Sequence, residues 1–196
     1  MPKQKDSGKR KGGMGKRKGG SYEITVARIL SKWFDPDAKV DLFWRSASSG
    51  AQASMAKRFG RKSNQWGDIK ASSDETMFVT DAVFFEVKFY KDWRIDTVLT
   101  NKGCLIRDWW IKCYQEATAV NKIPVLIFKR NNSPDFILFS DKFVMELVGW
   151  NCCFKLGCIR FDIDMGEEAL QGVSMYRLDY FLKHIDPMTL KAMVNK

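Results

Sequence analysis

An acidic and a basic side chain lie two residues apart in the most strand-prone stretch of the chain, FFEVKF at residues 84–89. Because strand side chains alternate between two faces, Glu86 and Lys88 point to the same side. Burying such a pair in a strongly apolar strand is costly unless something binds there, such as a divalent cation on the carboxylate. The triplet therefore predicts a cation site, with Lys88 placed to orient or help deprotonate a metal-bound water.

A second acid lies at the start of another predicted strand. Asp68 follows Gly67, and hairpin-like pairing of residues 67–71 with the strand at residues 82–90 would bring its carboxylate beside Glu86. Two carboxylates from adjacent strands, with a backbone carbonyl and waters, suit Mg²⁺, with Mn²⁺ as the alternative ion. Such a site favours attack of water on a phosphodiester, because the cation stabilises the charge that develops on the phosphate.

A similar triplet elsewhere in the chain lacks this setting. Asp37-Ala38-Lys39 lies beside Pro36 in a predicted loop, where no strand aligns the acid with the lysine. An acid-x-Lys triplet alone is therefore weak evidence. For Glu86 and Lys88 taken alone, a structural ion pair is as good an interpretation as a functional site.

Two predicted helices contribute further candidates. The first begins near residues 20–21 and is stopped by Asp35-Pro36, and Glu23 lies in line with the apolar residues of its inner face. The second covers residues 104–120, and Gln115 falls on the stripe expected to face the sheet. We therefore take Glu23 as a candidate catalytic residue and third metal ligand, and Gln115 as a candidate catalytic residue.

Other common catalytic chemistries lack their residues. His184 is the only histidine, which argues against Ser/His/Asp catalysis, and neither a Walker-type glycine loop nor a GxGxxG motif is present. The five cysteines are an odd number without paired CxxC spacing, so neither a disulfide framework nor a zinc knuckle is expected. The sequence has no secretory signal and no apolar run of membrane-spanning length. We expect a soluble cytoplasmic protein with no membrane partner.

Positive charge is concentrated in two segments. Residues 1–20 hold eight Lys and Arg against one Asp, and residues 42–67 hold five against no acid, whereas the whole chain has a net charge of +10. The rest of the chain is slightly acidic, so the pattern predicts two arms that hold a polyanion, although a basic tail can also serve solubility alone. The candidate DNA-binding residues are Lys16, Arg17, Lys18, Arg45, Lys57, Arg58, Arg61 and Lys62.

The predicted elements indicate an α/β fold, a central mixed β-sheet flanked by helices. Besides those above, we expect strands at residues 39–45, 77–80, 124–130, 136–140 and 152–164, and helices at residues 141–148 and 175–195. Residues 1–20 are predicted to be a disordered, glycine-rich basic tail, and residues 46–66 a long basic loop.

A helix with Glu23, a strand with Asp68, a strand with Glu86-x-Lys88 and a following helix resemble the PD-(D/E)XK nuclease superfamily over roughly residues 16–130. Gly67 replaces the proline of the motif. The resemblance implies a restriction-endonuclease-like core, with a nuclease domain at residues 21–165 and a C-terminal helical extension at residues 166–196.

Within the superfamily, the chain is most similar to archaeal-type Holliday junction resolvases, a group with viral relatives. The segment RKGGSYE at residues 17–23 resembles their basic, glycine-containing start of the Glu-bearing helix, and RSASSG at residues 45–50 resembles their arginine and serine segment. The resemblance implies that a serine contributes to catalysis, and register favours Ser49, with Ser48 second. Ile24 stands where these resolvases often have arginine.

This resemblance implies a Mg²⁺-dependent endodeoxyribonuclease that resolves Holliday junctions or other branched DNA in recombination and repair, on nucleoid or viral DNA inside a cell. It also implies a homodimer, and Trp109 and Trp110 are as consistent with a subunit contact as with core packing. Two alternatives stay open. One is a nicking or restriction-like endonuclease of the same superfamily acting on duplex DNA, and the other is a non-catalytic basic nucleic-acid-binding protein.

Overall fold

Apolar residues at strand and helix spacing build an α/β structure with a mixed sheet between helices, as predicted. The computed structural model describes residues 13–46, 66–100, 104–147, 157–166 and 170–194. In chain order its elements are α1 (Gly13–Phe34), β1 (Phe43–Arg45), β2 (Ile69–Ala71), α2 (Asp74–Ala82), β3 (Val83–Phe89), α3 (Asp96–Thr100), α4 (Leu105–Thr118), β4 (Ile123–Lys129), β5 (Phe136–Ser140), α5 (residues 141–147), β6 (Ile159–Asp164), β7 (Leu170–Arg177), α6 (Leu178–His184) and α7 (Pro187–Val194).

The central sheet has five strands in the order β3-β4-β5-β7-β6. β3 and β4 are parallel, with α4 in the connection between them, and the other pairs are antiparallel. In the β3–β4 register, Glu86 lies opposite Leu126 and Lys88 opposite Phe128. β3 is therefore an edge strand of this sheet, and its free side is open to the segment that carries Asp68.

The two faces of β3 bury different cores. Phe85 and Val87 pack with α1 residues such as Val26 on one face. Phe84 packs on the other face with Trp110 of α4. Glu86 and Lys88 share the face of Phe84 by strand alternation, so the acid and the lysine lie on the α4 side of the sheet.

A separate two-stranded antiparallel sheet, β1–β2, lies next to the edge of β3. Its register pairs Trp44 with Lys70 and Arg45 with Ile69. One further step along, the Ser46 amide donates to the Asp68 carbonyl at 2.8 Å. β2 therefore pairs with β1 rather than in the predicted hairpin with β3, and the small sheet delivers Asp68 to the edge of the large one.

Most predicted elements are present, and three are corrected. α1 begins at Gly13 rather than near residues 20–21. Val26 and Leu30 pack in the core and fix the helix in this part. Each further residue toward the N-terminus then adds one backbone hydrogen bond, and the Lys and Arg residues of this segment have good helix propensity. Residues 1–12 of the predicted tail and residues 47–65 of the predicted loop lie outside the described residues.

Residues 77–80, predicted as a short strand, belong to helix α2. Asp74 and Glu75 occupy its first turn, where carboxylates complement the helix dipole, and this local preference outweighs the strand propensity of Phe78 and Val79. Residues 170–177 lie in the predicted C-terminal helical extension, and 175–177 were predicted as helix, but they form strand β7 because this segment pairs on both sides with β5 and β6 in the central sheet.

The tryptophans of α4 pack within the protein. Trp110 is fully buried and donates its indole N–H to Gln171 Oε1 at 2.8 Å. Trp109 is half-buried against Phe128 and Tyr90. Core packing therefore accounts for both residues. None of the helices in the part of the chain that the structure describes has the length and apolar character needed to cross a bilayer.

Candidate active site

Gly67 lets the chain approach the edge of β3 closely. Its φ is +84°, a conformation that proline, with φ fixed near −65°, cannot adopt. A Cβ at this position would lie 2.8 Å from the Phe85 carbonyl oxygen. Glycine is therefore required here both by the backbone angle and by the space, which explains why it stands in the motif position of proline.

Asp68 is held by three hydrogen bonds. Its amide donates to the Phe85 carbonyl at 2.7 Å, and its Oδ2 accepts the Val87 amide at 2.8 Å. Its carbonyl accepts the Ser46 amide. Because Phe85 and Val87 flank Glu86, this clamp places the Asp68 carboxylate next to Glu86, and only 4% of Asp68 is exposed.

Glu86 is also only 4% exposed. Its Oε1 forms an ion pair with Lys88 and lies 3.7 Å from Lys112 Nζ. Burial raises the pKa of Glu86, and the neighbouring Asp68 carboxylate raises it further, while Lys88 and Lys112 lower it. The Asp68 carboxylate disfavours the charge of the buried Glu86, and a bound cation would relieve this repulsion.

Lys88 is held in its charged form. Burial lowers its pKa, but Glu86, Asp68 and Glu23 together outweigh this effect, so the pKa of Lys88 is raised. In this arrangement the ammonium group is a donor and a positive charge at neutral pH. It can orient a water or a phosphate oxygen next to the two acids, and it holds its proton unless the carboxylates are neutralised.

Glu23 lies at the border of this group. Burial raises its pKa, Asp68 adds to the rise, and Arg45 and Lys88 oppose it. Its carboxylate pairs with the Arg45 guanidinium, which lies over Gly20, where a Cβ would come within 2.9 Å of Nη1. Arg45, predicted to bind DNA, thus also ties β1 to α1, and 44% of its side chain remains exposed.

The donor set fits a hard cation at Asp68 and Glu86. Within the described residues, no three Asp, Glu, His or Cys side chains come together as a ligand group, and Glu23, predicted as a third ligand, pairs with Arg45 instead of pointing at Asp68 and Glu86 together. Mg²⁺ commonly takes one or two carboxylates and keeps several waters, which matches this buried pair.

The predicted position of Gln115 on the sheet-facing stripe is wrong. The buried stripe of α4 consists of Ile106, Trp110, Cys113 and Ala117, and Gln115 is exposed. The helix is rotated relative to the prediction because the small side chains of Cys113 and Ala117, rather than the polar residues, lie against the sheet.

Two residues beside the site were missed. Lys112, one turn before Gln115 on α4, brings a second ammonium group to Glu86. Ser46 is 2% exposed, and its hydroxyl has no hydrogen-bond partner within the described residues. The i, i+3 spacing from Lys112 to Gln115 is the only sequence signal for Lys112. Strand alternation does not predict the burial of Ser46, because it places Ser46 on the face of the exposed Trp44.

Several predicted residues cannot be placed. Ser48, Ser49 and the loop cations Lys57, Arg58, Arg61 and Lys62 lie outside the described residues. Lys16, Arg17 and Lys18 lie in the first turns of α1, and only their backbone is described. Their predicted roles stay predictions.

Residues 14–191 match the model of a protein family described as "Phage putative PDDEXK endonuclease". The chain belongs to this family. Membership in this PD-(D/E)XK family supports nuclease activity, a DNA substrate and use of a divalent metal. It also agrees with the mixed sheet and flanking helices, which are consistent with a restriction-endonuclease-like fold.

A curated relative is similar over a shorter stretch. Protein D14 of Escherichia phage T5 is 44% identical to the chain over 48 residues, which is 24% of this chain and 30% of D14. The chain therefore matches less than a third of that relative's length. No solved structure matches the chain.

Proposed function

We propose that this PD-(D/E)XK family member is a Mg²⁺-dependent, structure-selective DNA endonuclease that resolves Holliday junctions or other branched DNA. The observation that carries the proposal is the clamp of Asp68 at the edge of β3, beside the Glu86–Lys88 pair. The clamp brings two buried carboxylates and an ammonium group together from distant parts of the chain.

In this proposal, Asp68 and Glu86 would hold the cation, whose chemistry when bound would be to activate a water and to stabilise charge on the phosphate. Lys88 donates to the attacking water or to a phosphate oxygen. Glu23 and Arg45 set the border of the site, and Lys112 adds positive charge from α4. Ser49, with Ser48 second, stays a proposed contributor on the resemblance alone.

The preference for branched DNA rests on the resemblance to archaeal-type resolvases, and so does a homodimer that presents two active sites to a two-fold symmetric junction. Family membership among phages supports viral DNA inside a host cell as the substrate. The basic segments at residues 1–20 and 42–67 would hold phosphates without reading sequence.

The test is cleavage of a labelled four-way junction and of a linear duplex built from its arms, with Mg²⁺ and with EDTA. We expect Mg²⁺-dependent cutting, faster on the junction, and its loss in Asp68→Asn and Glu86→Gln with DNA binding retained. Glu146→Gln, an exposed acid on α5, is the control variant.

Other outcomes select the alternatives. Equal cleavage rates on the junction and the duplex would contradict the resolvase function and favour a nicking or restriction-like endonuclease. Binding without cutting, unchanged in Asp68→Asn, would favour a non-catalytic nucleic-acid-binding protein. Light scattering of the purified protein, alone and with a junction, tests the dimer.

A further inference from the structure

Trp44 is an exposed aromatic residue in the short strand β1. It is 59% exposed, whereas its neighbour Phe43 is fully buried. It is also the most exposed of the tryptophans whose side chains the structure describes. A single exposed aromatic residue is common on protein surfaces, so the neighbours of Trp44 and its distance from the candidate active site decide whether it can serve binding.

The position of Trp44 relates it to the candidate active site. Two residues further along the chain, just past the end of β1, Ser46 donates its amide to the carbonyl of Asp68 at 2.8 Å. Two residues of extended chain cover about 7 Å. The backbone of Trp44 therefore lies about one nucleotide's length from the point where β1 holds Asp68.

The surroundings of Trp44 are positively charged. Lys70 is its directly opposed partner in the β1–β2 register, and directly opposed residues share one face of a sheet. A flat aromatic surface beside a cation is the combination with which proteins hold unpaired nucleotides, stacking on the base and neutralising the phosphate.

We propose that Trp44 stacks on an unpaired base of the strand being cleaved, while Lys70 contacts the adjacent phosphate. A base inside an intact duplex has both faces covered by its neighbours, so it cannot stack on an indole. The substrate class that follows is DNA with an unpaired nucleotide next to the cleaved bond, as at a branch point or a flap. This inference rests on the proposed nuclease function and specifies its substrate.

The test compares substrates that differ by one base. A branched DNA with a single unpaired nucleotide at the branch point is prepared with either a normal nucleotide or an abasic one at that position. The kcat/KM with Mg²⁺ is measured for the full-length wild type, Trp44→Ala and Trp44→Phe. Tyr180→Ala is the control, because Tyr180 is a 42% exposed aromatic residue on α6, away from the β1–β2 sheet.

We expect the wild type to cleave the normal substrate about tenfold faster than the abasic one, as base–aromatic stacking of this kind would give. Trp44→Ala should lose this ratio, and Trp44→Phe should keep most of it. Tyr180→Ala should behave as the wild type. An equal loss of rate on both substrates in Trp44→Ala, or no loss on either, would overturn the proposal.

A binding measurement separates this inference from the nuclease proposal. In EDTA, a single-stranded oligonucleotide with one 2-aminopurine is titrated with each protein, and quenching of its fluorescence reports stacking. Quenching by the wild type but not by Trp44→Ala supports the platform even if no DNA is cut, and in that case only the nuclease proposal fails. Equal quenching by both proteins would contradict the platform whatever the cleavage assay shows.

Discussion

Two acid-x-Lys triplets, Asp37-Ala38-Lys39 and Glu86-Val87-Lys88, lie in opposite structural settings in this protein, one exposed and one buried. Asp37 and Lys39 are exposed in the turn after α1, where the Asp37 amide bonds Asp35 Oδ1 at 2.9 Å. Glu86 is 4% exposed in a sheet strand and pairs with Lys88. The two triplets share the same sequence pattern. The difference in their chemistry must therefore come from their burial and from the side chains that the fold places next to them.

The largest difference between the two triplets is expected when their lysines are substituted. Lys88→Ala should reduce kcat for Mg²⁺-dependent DNA cleavage by about 10²-fold or more, because it removes the charged donor held between Glu86 and Asp68. The measurement is single-turnover cleavage of a branched DNA.

Lys39→Ala is the matched control, as its side chain is exposed in a loop. We expect it to keep the wild-type rate. Similar losses in both variants would mean that the two lysines act only through general positive charge, and the distinction between the triplets would fail.

The second prediction concerns Gly67, which lets Asp68 lie beside the Glu86 triplet. Gly67→Ala should destabilise the fold by about 3 kcal/mol, because it combines a left-handed φ with a Cβ 2.8 Å from the Phe85 carbonyl. Urea unfolding measures the change. The variant should also cut DNA more slowly, since Asp68 must shift.

Gly166→Ala separates strain from crowding. Its φ is +83°, nearly that of Gly67, but apart from its chain neighbours no atom of the residues that the structure describes lies within 4 Å of the added Cβ. We expect a cost of about 1 kcal/mol from the backbone angle alone. Equal costs at the two glycines would show that close approach to β3 does not matter.

The third prediction uses the raised pKa of Glu86, caused first by burial and then by Asp68. An acid whose pKa is higher in the folded than in the unfolded protein takes up a proton on folding, so stability falls as the pH rises between the two values. Glu86→Gln mimics the protonated acid. In EDTA at pH 7 it should therefore unfold at a higher urea concentration than the wild type.

This gain should shrink as the pH falls through the raised pKa of Glu86, and it should be absent below the ordinary pKa of glutamate, where the wild-type acid is protonated in both states. Added Mg²⁺ should stabilise the wild type and not the variant, since the cation binds the folded carboxylate pair. A Glu86→Gln protein that is less stable than the wild type at neutral pH would argue that the Lys88 ion pair dominates the site.

Local patterns predicted some of these features, and distant contacts decided the others. Strand alternation predicts that Glu86 and Lys88 share a face, since a period of two needs no information from elsewhere in the chain. The placement of Asp68 depends on a close approach that only Gly67 hints at. The prediction for β7 was wrong because pairing with a distant strand overrides the local propensities of its residues. The prediction for α2 was wrong because the acids in its first turn, which complement the helix dipole, outweigh the strand propensity of its residues.

The register of α4 shows the same limit at the site itself. Its apolar and polar residues permit two neighbouring stripes, and packing against the sheet selects the one with Cys113 and Ala117. A rotation of one residue moves Gln115 to solvent and leaves Lys112 as the α4 side chain that reaches Glu86. Helical periodicity alone does not distinguish these positions.

Lys112 supplies the smallest expected effect. Its ammonium group is 3.7 Å from Glu86 Oε1 and equally far from Glu116, and 57% of the side chain is exposed, so solvent screens its charge. Lys112→Ala should lower the cleavage rate by about two- to fivefold, against no change in Lys183→Ala, an exposed lysine of α6. The loss should diminish at high salt, because a partly exposed charge acts through a screened interaction. A loss as large as that of Lys88→Ala would instead make Lys112 an equal partner in the site, and the advantage of the Glu86 triplet over the Asp37 triplet would then depend on α4 as much as on β3.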